Sequence, residues 1–243
     1  MTEPTDRMGE LIERAGAAIE RDGGANQRGR GGETPDMRRV SPLAGWSQAF
    51  AAASTAPARF SVRETPFVAQ ANVRGDPGDA AFAFAMRSAL GHDLPARANT
   101  WGGTPARAVL WLGPDEWLIT APEGRNDTLA RLLGNLLRGT HHSVADVSAN
   151  RCVIELSGRH VRAVLAKGCS LDLHAKAFAP PQVAQTLLAK AQVLLQCIDT
   201  RPTMRLYARP SFAPYVAQWL TDAAAEFASS RELDSDRIAA RLN

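Results

Sequence analysis

The order strand, glycine, helix, strands, helix runs twice through residues 67–227, and this repetition restricts the fold more than any single motif in the chain. In the first passage the extended run "FVAQANVRG" (67–75) ends at Gly75. Asp79 is placed to cap a helix over "AAFAFAMRSAL", and Gly91 to stop it. Two β-rich runs, "ARAVLWL" and "EWLITA", flank "GPD", which suits a tight hairpin; Trp111 and Trp117 either pair across it as core, the favoured reading, or present an exposed aromatic anchor. A second helix follows in "NDTLARLLGNLLRG", with Asn126 or Asp127 as cap and Gly139 as stop.

The second passage opens on "RCVIELSG", where Cys152, Ile154 and Leu156 alternate with Val153, Glu155 and Ser157, a strand pattern. Gly158 precedes a helix over 159–167; "AQTLLAKA", "VLLQCID" and "TMRLYA" read as strands; Ser211 is placed to cap "FAPYVAQWLTDAAAEF". The expectation is an α+β fold: antiparallel sheets with helices packed on one face, in two similar β-α-β-β-α halves.

Around this body the composition changes. Residues 5–21 set Met8, Leu11, Ile12, Ala15, Ala18 and Ile19 at helical spacing, and "RDGGANQRGRGGETPDMRR" after them is rich in glycine and charge. Residues 1–40 therefore read as a flexible extension with a short helix, 41–228 as the α+β domain, and 229–243 as a loosely held tail.

Several function classes are excluded at this level. The net charge of +3 comes from 25 Arg and 3 Lys against 25 acidic residues with no basic run, which gives no nucleic-acid footprint. No stretch is long and apolar enough for a membrane span, and the first residues lack the charged-then-apolar order of a leader, so a cytoplasmic protein is expected. Three cysteines without a CxxC pair support neither a disulfide framework nor a structural zinc site. "GRGGE", "RGDPG" and "NTWGGT" lack the strand, GxGxxG and helix order of a dinucleotide site, and Asp76 of "RGD" is expected to bond its own backbone in a turn. His141 and His142 are consecutive and are not expected to face one site from a strand; a solvated turn is the simpler reading.

The densest cluster of reactive side chains is "LAKGCSLDLHAKAF", 165–178. Lys167 could lower the pKa of Cys169, and Cys169, Asp172 and His174 could supply metal ligands, but no zinc spacing is present and no base is visibly positioned. The structural reading makes Gly168 the stop of the helix, lets Lys167 complement that helix's carbonyl end, and leaves a loop into the next strand.

"VRGDPGDAAF", "WLGPDEWLI", "DVSANR", "LSG", "VLAKGCSLDLHAKAFAP", "QTLLAK" and "SFAPYVAQWLTDA" occur in the order and approximate spacing of the gamma subunit of heterotetrameric sarcosine oxidase, a family this chain resembles from about Ser41 to Phe227. The resemblance implies an accessory, non-catalytic chain of a bacterial enzyme that demethylates sarcosine to glycine, passes the one-carbon unit to tetrahydrofolate and makes hydrogen peroxide. It also implies alpha, beta and delta partners, with FAD, FMN, NAD, zinc and tetrahydrofolate on those subunits and none on this one. "DVSANRCVIELSGRHVRAVLAKG" resembles the folate-binding T-protein as well, which raises a stand-alone aminomethyltransferase as the alternative. That family works through an aspartate in a later strand pair, where "TLLAKAQVLLQCIDT" is apolar and Asp199 comes several positions late. With partner subunits implied, the loop 169–178 becomes the expected interface, carried by Cys169, Leu171, Leu173, His174 and Phe178.

Overall fold

In the computed structural model, which describes residues 39–55, 59–123 and 126–229, the first passage begins with β2 (Ala69–Gly75) and α2 (Ala80–Leu90); before them come α1 (Ser47–Ala53) and β1 (Ser61–Thr65). The Oδ1 of Asp79 accepts hydrogen bonds from the Ala81 and Phe82 amides at 2.8 and 3.5 Å, and Gly91 ends α2 at φ +80 with its amide on the Arg87 carbonyl. Phe82, Met86, Ala89 and Leu90 form the buried stripe of α2. Gly75 is required by close approach, since a Cβ there would lie 2.3 Å from the Phe82 ring.

The chain continues through β3 (Trp101–Thr104), β4 (Arg107–Gly113), β5 (Glu116–Ala121), α3 (Asn126–Leu136) and β6 (His142–Asp146). These strands build an antiparallel sheet in the order β3-β4-β5-β2-β6. Trp111 and Trp117 are cross-strand partners flanking the Gly-Pro-Asp turn, as expected. Trp117 is buried, and its indole N–H donates to the Pro95 carbonyl at 2.9 Å. Ala71, Val73, Val109, Trp117 and Ile119 share one core with α2 and with Leu129, Leu133 and Leu137.

The second passage comprises β7 (Cys152–Ser157), α4 (Val161–Ala166), β8 (Val183–Leu188), β9 (Ala191–Cys197), β10 (Thr203–Ala208) and α5 (Ala213–Ser229). Its antiparallel sheet has the order β1-β7-β10-β9-β8. Val62, Ile154, Leu156, Leu195, Met204 and Leu206 share a core with Phe50 of α1, Val164 and Leu165 of α4, and Val216, Ala217 and Leu220 of α5. The body 41–228 divides into two compact units, one containing Pro66–Arg151 and the other Pro42–Thr65 with the chain from Cys152 onward. The expected helix 5–21 and the tail from 230 lie outside the described residues.

Five local expectations change. Strands β1, β3 and β6 were not visible as periodic runs, because each is an edge or near-edge segment of four or five residues with few buried positions. The helix expected over 159–167 spans only 161–166. Ser211 is not at the start of α5 but inside a 3-10 turn, Pro210–Phe212, that precedes it. Gly168 is not needed for a left-handed stop; a Cβ there would lie 2.5 Å from Trp219 of α5, so its role is close packing. Lys167 turns to α5 rather than to its own helix end, donating to the Ala223 carbonyl at 2.5 Å and pairing with Glu226 at 2.9 Å.

Candidate functional site

The loop 169–178 is a folded turn pinned from α4. Arg162 donates through Nη1 to the carbonyls of Leu173 and Phe178, the latter at 2.8 Å. Leu173 and Phe178 are 5% exposed and Cys169 9%, and all three belong to the core of the unit that contains β7. Leu171 packs partly against that core, which leaves His174 as the one exposed member of the five expected interface residues. The alternation of apolar and polar positions is present as read, but its apolar edge faces the chain's own interior.

The polar edge is committed to the turn. Asp172 Oδ1 accepts from the His174 amide at 2.9 Å, and His174 Nδ1 accepts from the Lys176 amide at 3.2 Å. Cys169 sits in a bridge opposite Leu188, its sulfur 3.9 Å from Thr186 Oγ1 and not on His174. The cluster that looked reactive in sequence is thus a loop satisfying its own backbone. Among the described residues no three His, Cys, Asp or Glu side chains form a metal-holding group. Sequence reasoning missed Arg162, and nothing in "RHVRAVLAKG" distinguishes it from the other arginines; only the fold brings the two carbonyls to it.

The remaining motifs are also structural in their local geometry. In "DVS", Asp146 Oδ1 accepts from the Ser148 amide and hydroxyl at 2.9 and 2.6 Å. The Ser148 oxygen accepts from the Gln70 amide at 2.9 Å, which ties the end of β6 to β2. In "LSG", Gly158 has φ +107, and a Cβ there would meet the Arg59 carbonyl oxygen at 2.6 Å. Asp199 caps the turn between β9 and β10, its Oδ1 accepting from the Arg201 and Thr203 amides, both at 2.9 Å. Burial would raise its carboxyl, but those hydrogen bonds and the Arg201 charge prevail and hold it below the usual carboxylate range. The Cys152 thiol is pushed up to about 11 by burial and by the Glu64 charge, and burial also raises Cys197 against the opposing Arg162.

A concave site lies at the carboxyl end of β2, within the unit Pro66–Arg151. The cleft measures about 710 Å³ and is lined by Arg74–Pro77, the Pro114–Asp115 turn and His141–Ser143. Arg74 pairs with Asp115 at 2.8 Å, and the Gly75 amide donates to the Asp115 carbonyl at 3.1 Å. Asp76 Oδ1 accepts from the Gly78 amide at 2.8 Å, the turn expected of "RGD". His142 Nδ1 lies 3.0 Å from the Thr140 carbonyl, which can only accept, so Nδ1 carries a proton. Both histidines line this cleft, with His141 exposed in the turn before β6, as the solvated-turn reading expected, and His142 opening the strand.

Comparison with known proteins gives a consistent result. The model of the family described as sarcosine oxidase, gamma subunit, matches residues 74–226. The sarcosine oxidase subunit gamma of Arthrobacter sp is 42% identical over 198 residues, 81% of this chain and 95% of that one. The protein of the same name from Corynebacterium sp. (strain P-1) is 41% identical over the same shares. Among solved structures, heterotetrameric sarcosine oxidase from Corynebacterium sp. U-96, in complex with pyrrole 2-carboxylate, contains a chain superposing with a TM-score of 0.72. That chain is 37% identical, and the match covers 79% of this chain and 98% of the other. The glycine cleavage system aminomethyltransferase T of Bartonella henselae shares the fold alone, with a TM-score of 0.52 at 14% identity over 71% of this chain and 48% of that one.

Proposed function

Since this chain belongs to the sarcosine oxidase gamma subunit family, we propose that it is the gamma subunit of a heterotetrameric sarcosine oxidase, assembling in the cytoplasm with alpha, beta and delta subunits. The observation that carries this reading is the 42% identity sustained over 95% of the Arthrobacter chain. The complex demethylates sarcosine to glycine, hands the one-carbon unit to tetrahydrofolate and reduces oxygen to hydrogen peroxide. FAD, FMN, NAD, zinc and tetrahydrofolate belong to the other subunits, and this chain is an accessory, non-catalytic member. The chemistry of its own groups supports that division: Asp172, His174 and Asp199 are spent on backbone amides, and the Cys152 and Cys197 thiols are held protonated.

The architecture reads as two similar halves, β2-α2-β3-β4-β5-α3 and β7-α4-β8-β9-β10-α5. In each sheet the opening strand lies beside the last hairpin strand, and an edge strand completes the order, β6 in one and β1 in the other. An Asp172 and His174 edge beside half-buried Leu171 is what the loop 169–178 offers a partner. The test is purification of the chain alone and with the products of neighbouring genes, followed by an absorbance spectrum of each. Flavin bands and sarcosine oxidation are expected in the co-purified sample alone; stoichiometric flavin on the isolated chain would refute the accessory assignment.

A further inference from the structure

We propose that the cleft at the carboxyl end of β2 receives a basic side chain, lysine or arginine, from another subunit of the same enzyme; this rests on the gamma-subunit reading and names a contact within it. With histidines neutral, the cleft carries one positive group, Arg74, and two negative ones, Asp76 and Asp115, leaving a single net negative charge. The acceptors left over tell the same story. Asp76 Oδ1 is held by Gly78 and Asp115 Oδ2 by Arg74, while Asp76 Oδ2 and Asp115 Oδ1 have no hydrogen-bond partner among the described residues. A cationic head has donors only, three on an ammonium and five on a guanidinium, and so answers acceptors with lone pairs.

Pro77 and Pro114 supply apolar surface along which the alkyl stem of such a side chain packs. Of the neighbouring carboxylates, Asp79 is engaged as the cap of α2 and Glu116 accepts from Asn72 at 2.7 Å, and neither offers the cleft a positive charge. An anionic occupant would meet net repulsion, and an apolar one would strand two carboxylate oxygens away from water.

The test uses the full-length chain with its co-purified partner subunits. Asp76→Asn with Asp115→Asn keeps an oxygen for Gly78 and for Arg74 while removing both charges, and should weaken association at least tenfold with the melting temperature unchanged. Asp76→Glu with Asp115→Glu should stay within threefold of the parent. So should Asp93→Asn, which removes the carboxylate charge of the exposed Arg87–Asp93 pair elsewhere on the same unit. Ser143→Arg, at an exposed lining position, places a competing cation in the cleft and should also weaken association tenfold. This variant decides the matter if the double change lowers the melting temperature. Parent-like association of both charge-altering variants would overturn the cleft assignment and leave the gamma-subunit reading intact. Failure of the parent chain to assemble at all would overturn the latter. If deleting residues 1–38 abolished the effect of the variants, the cleft would serve the chain's own N-terminal segment, and the assignment would again fall.

Discussion

Leu173→Ala should lower the stability of the isolated chain by about 3 kcal/mol. The side chain is 5% exposed and lies in the core shared by α4, β8 and β9. Truncation removes three carbon groups at about 0.8 kcal/mol each, roughly 2.4 kcal/mol of transfer free energy, and a residual cavity adds to it. The backbone contact survives, because Arg162 binds the Leu173 carbonyl and not its side chain. For a chain of this length about 2–4 °C of melting temperature accompanies each kcal/mol, so a fall of about 6–12 °C is expected in a thermal melt followed by far-UV circular dichroism. His174→Ala, three bonds further along the same loop, removes one exposed acceptor for the Lys176 amide and should cost under about 1 kcal/mol. The refuting result is a Leu173→Ala chain that melts with the parent but binds its partner subunits tenfold more weakly; the leucine would then be an interface anchor and the burial argument would fail.

Three further outcomes follow from the same geometry. At pH 8 the Cys152 thiol, raised to about 11 from an ordinary 9.0, should react with iodoacetamide on the order of a hundredfold more slowly in the folded chain than in urea; the unfolded thiol also ionises first, so stability should decline as pH rises from about 9 toward about 11. Gly158→Ala forces a side chain onto φ +107 and against the Arg59 carbonyl and should cost more than about 2 kcal/mol in urea unfolding, whereas Gly134→Ala, open on all sides within α3, should gain about 0.5–1 kcal/mol. Asp79→Ala removes the cap of α2 and should cost about 1 kcal/mol, with Asp79→Ser recovering most of it in the same measurement.

What could be read without the structure was whatever depends on neighbours in sequence. The Asp79 cap, the Gly91 stop, the Asp76 turn and the Gly-Pro-Asp hairpin are local hydrogen-bond and dihedral requirements, and each is found where the residue types put it. The alternation of Cys152, Ile154 and Leu156 marked a strand because a buried face repeats every second residue. Helix α4 was overextended because helical propensity carries no information about where tertiary contacts stop supporting a turn. Edge strands β1, β3 and β6 left no such trace: an edge buries little, so its residues are free to look like loop.

The candidate sites divided along the same line. Within 165–178 the sequence by itself determined a loop with one apolar and one polar edge, since that follows from alternation alone. Only the tertiary structure decided that Leu173 and Phe178 turn inward, because burial depends on which surface the rest of the chain presents, and here Arg162 draws both carbonyls toward α4. The cleft at β2 was equally hidden. Arg74 and Asp76 lie 39 to 68 positions before Asp115 and His142, and only antiparallel pairing of β2 with β5 and β6, which sets Arg74 against Glu116 and Gly75 against His142, brings those charges to one end of one sheet.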